Sequence, residues 1–173
     1  LIDEKGTVAT AYHCVATGLR SQITTRDGEV VVARTLAADV DDDLAILSVP
    51  ELAGWPHLNV RKGSAEVGER AYGLGHPYAQ AASGRLAGTL AFSASEGIIS
   101  AVGERVLQTD TALTPGNSGG PLVDANGDVL GIVSVKLAAD NLSFATRASL
   151  LHELVASQAP PPFLGGTWQV SAA

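Results

Sequence analysis

The residues best suited to chemistry centre on a serine in a glycine-rich segment. Ser118 lies in the sequence TPGNSGGPL at 114–122. A serine hydroxyl attacks a carbonyl carbon efficiently only when a base takes its proton and backbone N–H groups receive the oxyanion, and a tight turn that glycine permits can supply those N–H groups. Gly116 and the two glycines after Ser118 give the segment this freedom. The same segment is also typical of an ordinary loop, so the assignment depends on a base and an acid elsewhere in the chain.

A histidine and an aspartate provide that base and that acid. His13 lies in TAYHCV, at the end of an apolar segment, and Asp43 lies in DDDLAIL, at the start of another. Loops at strand ends on a rigid scaffold can bring together side chains from distant parts of a chain. The order His13, Asp43, Ser118 therefore predicts a nucleophilic triad.

A rival reading of the serine segment is the nucleophile elbow of α/β-hydrolases, because GNSGG also satisfies the pattern G-x-S-x-G. That fold requires a helix directly after the serine, followed by an acid and a histidine. Here Pro121 and a predicted hairpin follow the serine, and His152 is the only histidine downstream. The elbow is therefore disfavoured. His57, His76 and His152 are expected to be surface or packing residues.

The composition limits the classes of function that remain. The chain has 173 residues, of which 46% are hydrophobic, and this size fits one compact domain or two small halves that share an interface. The formal net charge of -7 repels phosphate backbones, so no nucleic-acid partner is expected. No run reaches the roughly 18 to 20 apolar residues of a membrane span. The sequence contains no methionine, so we expect a segment to have preceded Leu1.

The elements that position the triad are predicted to be mostly β-strands. The expected strands are 21–25, 30–36, 45–49, 70–74, 98–102, 106–109, 121–123 and 129–135. The dipeptides Asp27-Gly28 and Asn126-Gly127 suit hairpin turns with positive φ, so two hairpins are expected.

One helix is expected near the end of the chain. Leucines and a valine at 150, 151, 154 and 155 form a stripe with helical spacing, and Ser149 is predicted to cap its start. The prolines at 160–162 favour an extended linker or tail. The single cysteine, Cys14, excludes an internal disulfide framework and any multi-thiolate metal site. No metal site or cofactor is predicted from any motif.

Taken together, the motifs resemble those of the chymotrypsin-like (trypsin-fold) serine peptidases, and most closely the bacterial HtrA/Deg-type branch. His13 lies in the family's T-x-x-H-x-V, Asp43 opens its D-L-A-x-L, and Ser118 lies in its P-G-N-S-G-G-P-L. Shorter matches are GHP at 75–77, LQTD at 107–110 and SFA at 143–145. The choice of Asp43 over the neighbouring Asp41 and Asp42 rests on this pattern, and those two are expected in a solvated turn.

The resemblance implies an all-β fold of two six-stranded antiparallel β-barrels with a short C-terminal helix. The first barrel is expected to be N-terminally incomplete, because the family's first strand would precede Leu1. Residues 1–158 would form the protease domain, with the first barrel at about 1–80 and the second at about 81–158. Residues 159–173 would form the linker or tail.

The resemblance also implies roles for residues around the triad. The N–H groups of Gly116 and Ser118 would form the oxyanion hole, and Ser134 would hydrogen-bond the catalytic aspartate. Zymogen-activated trypsins carry an aspartate where this chain has Asn117, so activation by a freed N-terminus is not expected. Cys14 is expected to be a buried free thiol.

The substrate-binding residues implied by the family are Ala112, Leu113, Thr114, Ser134, Val135 and Lys136. The floor of the specificity pocket is the sixth residue before the serine, which here is Ala112. An unpaired cation in an apolar pocket is costly, so small or medium apolar residues are expected at P1, the position before the scissile bond. The alternative is that Lys136 reaches the cleft and favours acidic residues.

The function implied is that of a serine endopeptidase acting on protein or peptide substrates without a cofactor. Two alternatives stay open: a trypsin-fold binding or scaffold module, and a protease domain held inactive until it is assembled. A homo-oligomer or further domains outside the chain are compatible with the family. The resemblance implies a periplasmic, secreted or cell-envelope location.

Overall fold

The computed structural model describes residues 1–78, 90–134 and 142–157. The predicted tail at 159–173, the predicted barrel boundary near residue 80, Val135 and Lys136 lie outside these ranges. Within the described part of the chain, no helix has the length and apolar character needed to cross a lipid bilayer.

The first half is a four-stranded antiparallel sheet. Its strands are β1 (Thr7–Ala11), β2 (Arg20–Thr24), β3 (Val30–Asp39) and β4 (Leu44–Ser48), in the spatial order β1-β4-β3-β2. The predicted hairpin at Asp27-Gly28 joins β2 to β3, and Gly28 has a φ of +86°. Short 3-10 turns follow β1 at Tyr12–Cys14 and β4 at Pro50–Leu52.

The second half is a closed six-stranded barrel. Its strands are β5 (Arg70–Gly75), β6 (Ser93–Val102), β7 (Val106–Thr109), β8 (Pro121–Val123), β9 (Val129–Val133) and β10 (Ser143–Arg147). The order around the barrel is β10-β7-β6-β5-β8-β9. The predicted hairpin at Asn126-Gly127 joins β8 to β9, with Gly127 at a φ of +86°.

A single described helix, α1 (Ala148–Ser157), follows β10 directly. The prediction of Ser149 as its N-cap is wrong, because the helix begins one residue earlier and Ser149 lies inside its first turn. Leu150, Leu151 and Leu154 are buried, as the apolar stripe predicted.

The helix closes a core that both halves share. This core contains Ala37, Leu44 and Ile46 of the first sheet, Val123, Val129 and Ile132 of the barrel, and the three helix leucines. The predicted fold class is confirmed: the chain is mostly β, with one closed six-stranded barrel and one short C-terminal helix. The expected incomplete first barrel is the four-stranded sheet.

Candidate active site

His13 and Asp43 are neighbours because β1 pairs with β4. The register places Ala11 opposite Leu44, so the residues just beyond these strand ends meet at one edge of the sheet. The Nδ1 atom of His13 lies 2.7 Å from Oδ2 of Asp43. The backbone N–H of His13 donates to Oδ1 of the same carboxylate at 2.9 Å. The ring is thereby oriented by a carboxylate that is itself held by the histidine's backbone.

Asp43 is buried and held from both halves of the molecule. Asp43 is 6% exposed, and the Ser134 hydroxyl donates to its Oδ2 at 2.6 Å. Its backbone carbonyl accepts a hydrogen bond from the Tyr12 N–H at 3.0 Å. The φ of Asp43 is +53°, in the left-handed region that residues other than glycine seldom occupy. Such a conformation persists only where the surroundings fix it.

The segment around Ser118 is folded by its own backbone hydrogen bonds. The Asn117 N–H donates to Thr114 O at 3.0 Å, and the Gly120 N–H donates to Asn117 O at 2.9 Å. The Gly119 N–H donates to Val133 O at 2.9 Å, which ties the segment to β9.

The serine segment packs against the strand that leads to His13. A Cβ atom on Gly119 would lie 2.3 Å from Oγ1 of Thr10 on β1, so only glycine allows this approach. The Cys14 thiol donates to the Ser118 carbonyl oxygen at 3.7 Å. The contacts of Gly119 and Cys14 therefore bring the residues beside Ser118 to the residues beside His13.

The Gly116 N–H is oriented by a neighbouring turn. The Tyr78 N–H donates to Pro115 O at 2.8 Å, and the His76 N–H donates to Gly116 O at 3.3 Å. Because the carbonyl and N–H of a trans peptide point in opposite directions, the Gly116 N–H is directed away from Tyr78. Among the residues that the structure describes, it meets no acceptor. This arrangement fits a donor held ready for an oxyanion.

Three of the predicted substrate-binding residues, Ala112, Leu113 and Thr114, lie directly before Pro115 and Gly116. Ala112 is exposed, and its carbonyl oxygen accepts a hydrogen bond from the Ser95 hydroxyl at 3.0 Å. Leu113 is 8% exposed and packs in the barrel core. The hydroxyl of Thr114 is buried without a hydrogen-bond partner. Ala112 is thus the exposed, uncharged residue of this segment, and the Leu113 side chain belongs to the barrel core.

Cys14 departs from its prediction, because the residue is exposed and not buried. Loss of solvent around the sulfur raises the pKa of the thiol, and the charge of Asp43 raises it further. Both effects disfavour the thiolate. Cys14 is therefore a weak nucleophile at neutral pH although it adjoins Ser118.

The structure also brings to the site three residues that the sequence analysis missed. Asp42 is 7% exposed, which contradicts its expected place in a solvated turn. Its carboxylate is paired with Arg105, and its carbonyl oxygen accepts the Thr146 hydroxyl. No local pattern signals these contacts, because Arg105 and Thr146 are far away in the sequence.

The element after Ser118 decides between the two serine-hydrolase interpretations. The chain continues into the strand β8 and not into a helix. An α/β-hydrolase elbow needs the helix, so that alternative is excluded.

Comparisons with known proteins agree with this architecture. Residues 1–132 match the family described as "Trypsin-like peptidase domain". The "Serine protease Do-like HtrB" of Bacillus subtilis is 31% identical over 190 residues, covering 94% of this chain and 38% of that protein. The "Probable periplasmic serine endoprotease DegP-like" of Chlamydia trachomatis is 30% identical, covering 76% of this chain and 26% of that protein.

Among solved structures, a serine endoprotease from Yersinia pestis superposes with a TM-score of 0.75 at 25% identity. The match covers 91% of this chain and 55% of that one. The chain thus spans less than two thirds of the length of each of these three relatives.

Proposed function

The chain belongs to the trypsin-like peptidase family, and from that premise we propose that it is a serine endopeptidase of the HtrA/Deg type, hydrolysing peptide bonds in protein substrates. The observation that carries the proposal is the hydrogen-bonded series Ser134, Asp43, His13. The series ends at His13, and the nearby residues Thr10 and Cys14 lie against Gly119 and Ser118. A serine nucleophile needs a base that is oriented by a carboxylate in this way.

Each of the three groups has one role in the reaction. The Ser118 oxygen bonds to the scissile carbonyl carbon while its proton passes to His13. The C–N bond then breaks, and His13 returns the proton to the leaving amine. Water, deprotonated by the same histidine, releases the acyl group from Ser118. Asp43 holds the imidazole in the required tautomer and stabilises its charged form.

Backbone donors would stabilise the negative charge that develops on the carbonyl oxygen. The N–H groups of Gly116 and Ser118 would form this oxyanion hole. The direction of the Gly116 N–H, set by the contact of Tyr78 with Pro115, supports the assignment.

A covalent probe tests the function directly. A fluorophosphonate reacts with a serine only where a base and an oxyanion hole activate it, so we expect labelling of the wild-type chain and none of Ser118→Ala. Ser157→Ala is the matched control, since Ser157 lies at the end of α1 and should leave labelling unchanged. A folded wild-type chain that the probe does not label would instead favour the binding or scaffold module.

The substrate preference follows from the pocket residues. We propose that Ala112, Leu113 and Thr114, with Ser134, Val135 and Lys136, contact the substrate, and that small or medium apolar residues are accepted at P1. Support comes from the exposed, uncharged Ala112. Each extra buried methylene contributes only about 0.8 kcal/mol, so discrimination among apolar residues should be loose.

Mass-spectrometric mapping of the cuts in a denatured protein mixture tests this preference. We expect most cuts after Ala, Val or Leu. A majority after Lys or Arg would contradict the pocket assignment, and a majority after Glu or Asp would assign the pocket to Lys136. Ser118→Ala identifies the background cuts.

The cellular setting is inferred from the relatives. We propose action in the periplasm or cell envelope, supported by the relative whose name includes "periplasmic". Formation of a homo-oligomer and the presence of further domains outside the chain stay predictions from the resemblance to the HtrA/Deg-type peptidases.

A further inference from the structure

We propose that Arg105 and Thr146 are positioning residues for the reaction: by holding Asp42, they fix the backbone of Asp43 and through it the orientation of His13. The inference rests on the proposed function, since it concerns the precision of the same triad. We call Asp42, Arg105 and Thr146 the Asp42 clamp.

The side-chain part of the Asp42 clamp is a bidentate ion pair between Arg105 and Asp42. The Arg105 Nε donates to Oδ1 of Asp42 at 2.5 Å, and its Nη2 donates to Oδ2. Paired bonds of this kind fix direction as well as distance. The Asp42 side chain is 5% exposed, so a charge in this position needs such a partner.

The backbone part of the Asp42 clamp acts on the peptide that precedes Asp43. The buried Thr146 hydroxyl donates to Asp42 O at 2.7 Å. On the other side of the Asp43 Cα, the Tyr12 N–H donates to Asp43 O at 3.0 Å. Because both carbonyls that flank this Cα are held, the φ of +53° at Asp43 is fixed from outside the residue.

The two residues that donate to Asp42, Arg105 and Thr146, both belong to the barrel, whereas Asp43 belongs to the first sheet's half of the molecule. Asp42 lies in the turn between β3 and β4, whereas Arg105 lies between β6 and β7 and Thr146 lies on β10. The two donors are themselves connected, since the N–H of Arg147, next to Thr146, donates to Arg105 O at 3.1 Å. The barrel that carries Ser118 therefore also sets the position of the aspartate on the first sheet.

Loss of this constraint would shift the carboxylate relative to the imidazole. A misplacement of about 1 Å caused by a change away from the chemistry can lower a rate by about 100-fold. The substrate does not contact the Asp42 clamp in this scheme. The effect should therefore appear in kcat and leave KM unchanged.

Thr146 provides the sharpest test, because its hydroxyl and its methyl group can be removed separately. Thr146→Val keeps the shape and removes the donor, so we expect kcat on a peptide substrate to fall on the order of 10- to 100-fold at constant KM. Thr146→Ser keeps the donor and loses the methyl group, and we expect kcat near the wild-type value. Thr35→Val is the control, since Thr35 is also buried, at 7% exposed against 1% for Thr146, and its hydroxyl has no hydrogen-bond partner.

Arg105 gives an independent test of the same proposal. We expect Arg105→Met to lower kcat in the same range, while Arg70→Met, which removes the exposed pair with Glu96, leaves kcat unchanged. Thermal unfolding identifies variants that are not folded at the assay temperature. Because both donors act through Asp42, the double variant should lose less than the product of the two single losses.

The outcomes separate this inference from the proposed function. An inactive wild-type chain contradicts the proposed function. An active wild type in which Thr146→Ser loses more kcat than Thr146→Val, or in which folded Arg105→Met keeps full kcat, overturns the positioning role and leaves the function standing.

Discussion

Asp43 combines a left-handed backbone conformation with a side chain that has three hydrogen-bond partners. Its carboxylate meets the His13 backbone N–H, the His13 ring and the Ser134 hydroxyl, while its φ lies in the left-handed region. Asp and Asn are enriched several-fold among the non-glycine residues found in that region. In the proposed mechanism this position requires a carboxylate, and aspartate is one of the residue types that can adopt the left-handed conformation found there.

The first prediction concerns the charge at this position. Asp43→Asn keeps the shape, but its amide N–H would face the His13 Nδ1 and favour the wrong tautomer. We expect kcat to fall on the order of 10⁴-fold. Steady-state kinetics on a peptide substrate measures the loss, and Asp41→Asn, at an exposed neighbouring aspartate, is the control. Equal losses in the two variants would show that general charge matters and not the tautomer.

The second prediction concerns the pH dependence of Cys14. Since partial loss of solvent around the sulfur and the Asp43 charge raise the pKa of the Cys14 thiol, the thiolate is scarce at neutral pH. We expect alkylation by iodoacetamide to be slower than that of a free cysteine at pH 7 and to accelerate as the pH rises past the ordinary thiol value. The alkylated protein should lose activity, because the adduct lies beside Ser118.

Mass spectrometry of the labelled chain follows the reaction, with Cys14→Ser as the unreactive control. We expect that variant to keep its activity after the same treatment. Alkylation as fast as that of free cysteine at pH 7 would contradict the raised pKa.

At the scale of elements, the proposed oxyanion segment at Pro115 and Gly116 contacts a turn from another part of the barrel. A Cβ on Gly116 would lie 2.2 Å from the His76 carbonyl oxygen and 3.0 Å from the Tyr78 nitrogen. The turn at His76 and Tyr78 therefore packs against bare backbone. This close approach is what allows the Tyr78 N–H to reach Pro115 O.

The third prediction follows from this contact. Gly116→Ala would move the oxyanion segment away from the turn, and removal of one oxyanion donor costs about 10²- to 10³-fold in kcat. Gly28→Ala is the matched control: its φ of +86° imposes similar backbone strain, but a Cβ there meets no atom within 4 Å. We expect Gly28→Ala to lose stability only, and wild-type kcat in Gly116→Ala would contradict the role of the segment.

Local signals predicted much of the fold. Both hairpins form where Asp27-Gly28 and Asn126-Gly127 indicated, because the turn chemistry is contained in adjacent residues. The helix starts two residues before the predicted first position at Leu150, since β10 runs directly into α1 and leaves no loop for a cap at Ser149. The burial of Asp42 was not predictable, because its partner Arg105 is 63 residues away and an acidic run resembles a solvated turn.

At the scale of the whole molecule, the two halves share one core, and we expect them to unfold as one unit. The shared core joins residues from the first sheet, the barrel and α1, and Leu151 is 1% exposed within it. The Asp42 clamp and the Ser134 contact cross the same interface. Unfolding one half would therefore remove burial and hydrogen bonds from the other.

The fourth prediction tests this cooperativity. Leu151→Ala should destabilise the protein by about 2 to 5 kcal/mol, the range for large-to-small changes in a core. Val155 lies on the same helix but is 45% exposed, so Val155→Ala should change the free energy of unfolding by less than about 0.5 kcal/mol. Urea denaturation, monitored by circular dichroism and tryptophan fluorescence together, gives both free energies of unfolding. Two separate transitions would contradict a single folding unit.

The order of elements along the chain has a further consequence for biosynthesis. The barrel closes only through β10, which pairs with both β7 and β9, and the shared core is completed only by α1. A ribosome delivers these elements after Ser118, so the nascent chain carries its nucleophile before the scaffold around it can form. Such long-range closure is slow to fold. For the proposed protease, activity should therefore arise only once the helix has emerged, so that no active enzyme is present during translation of the chain.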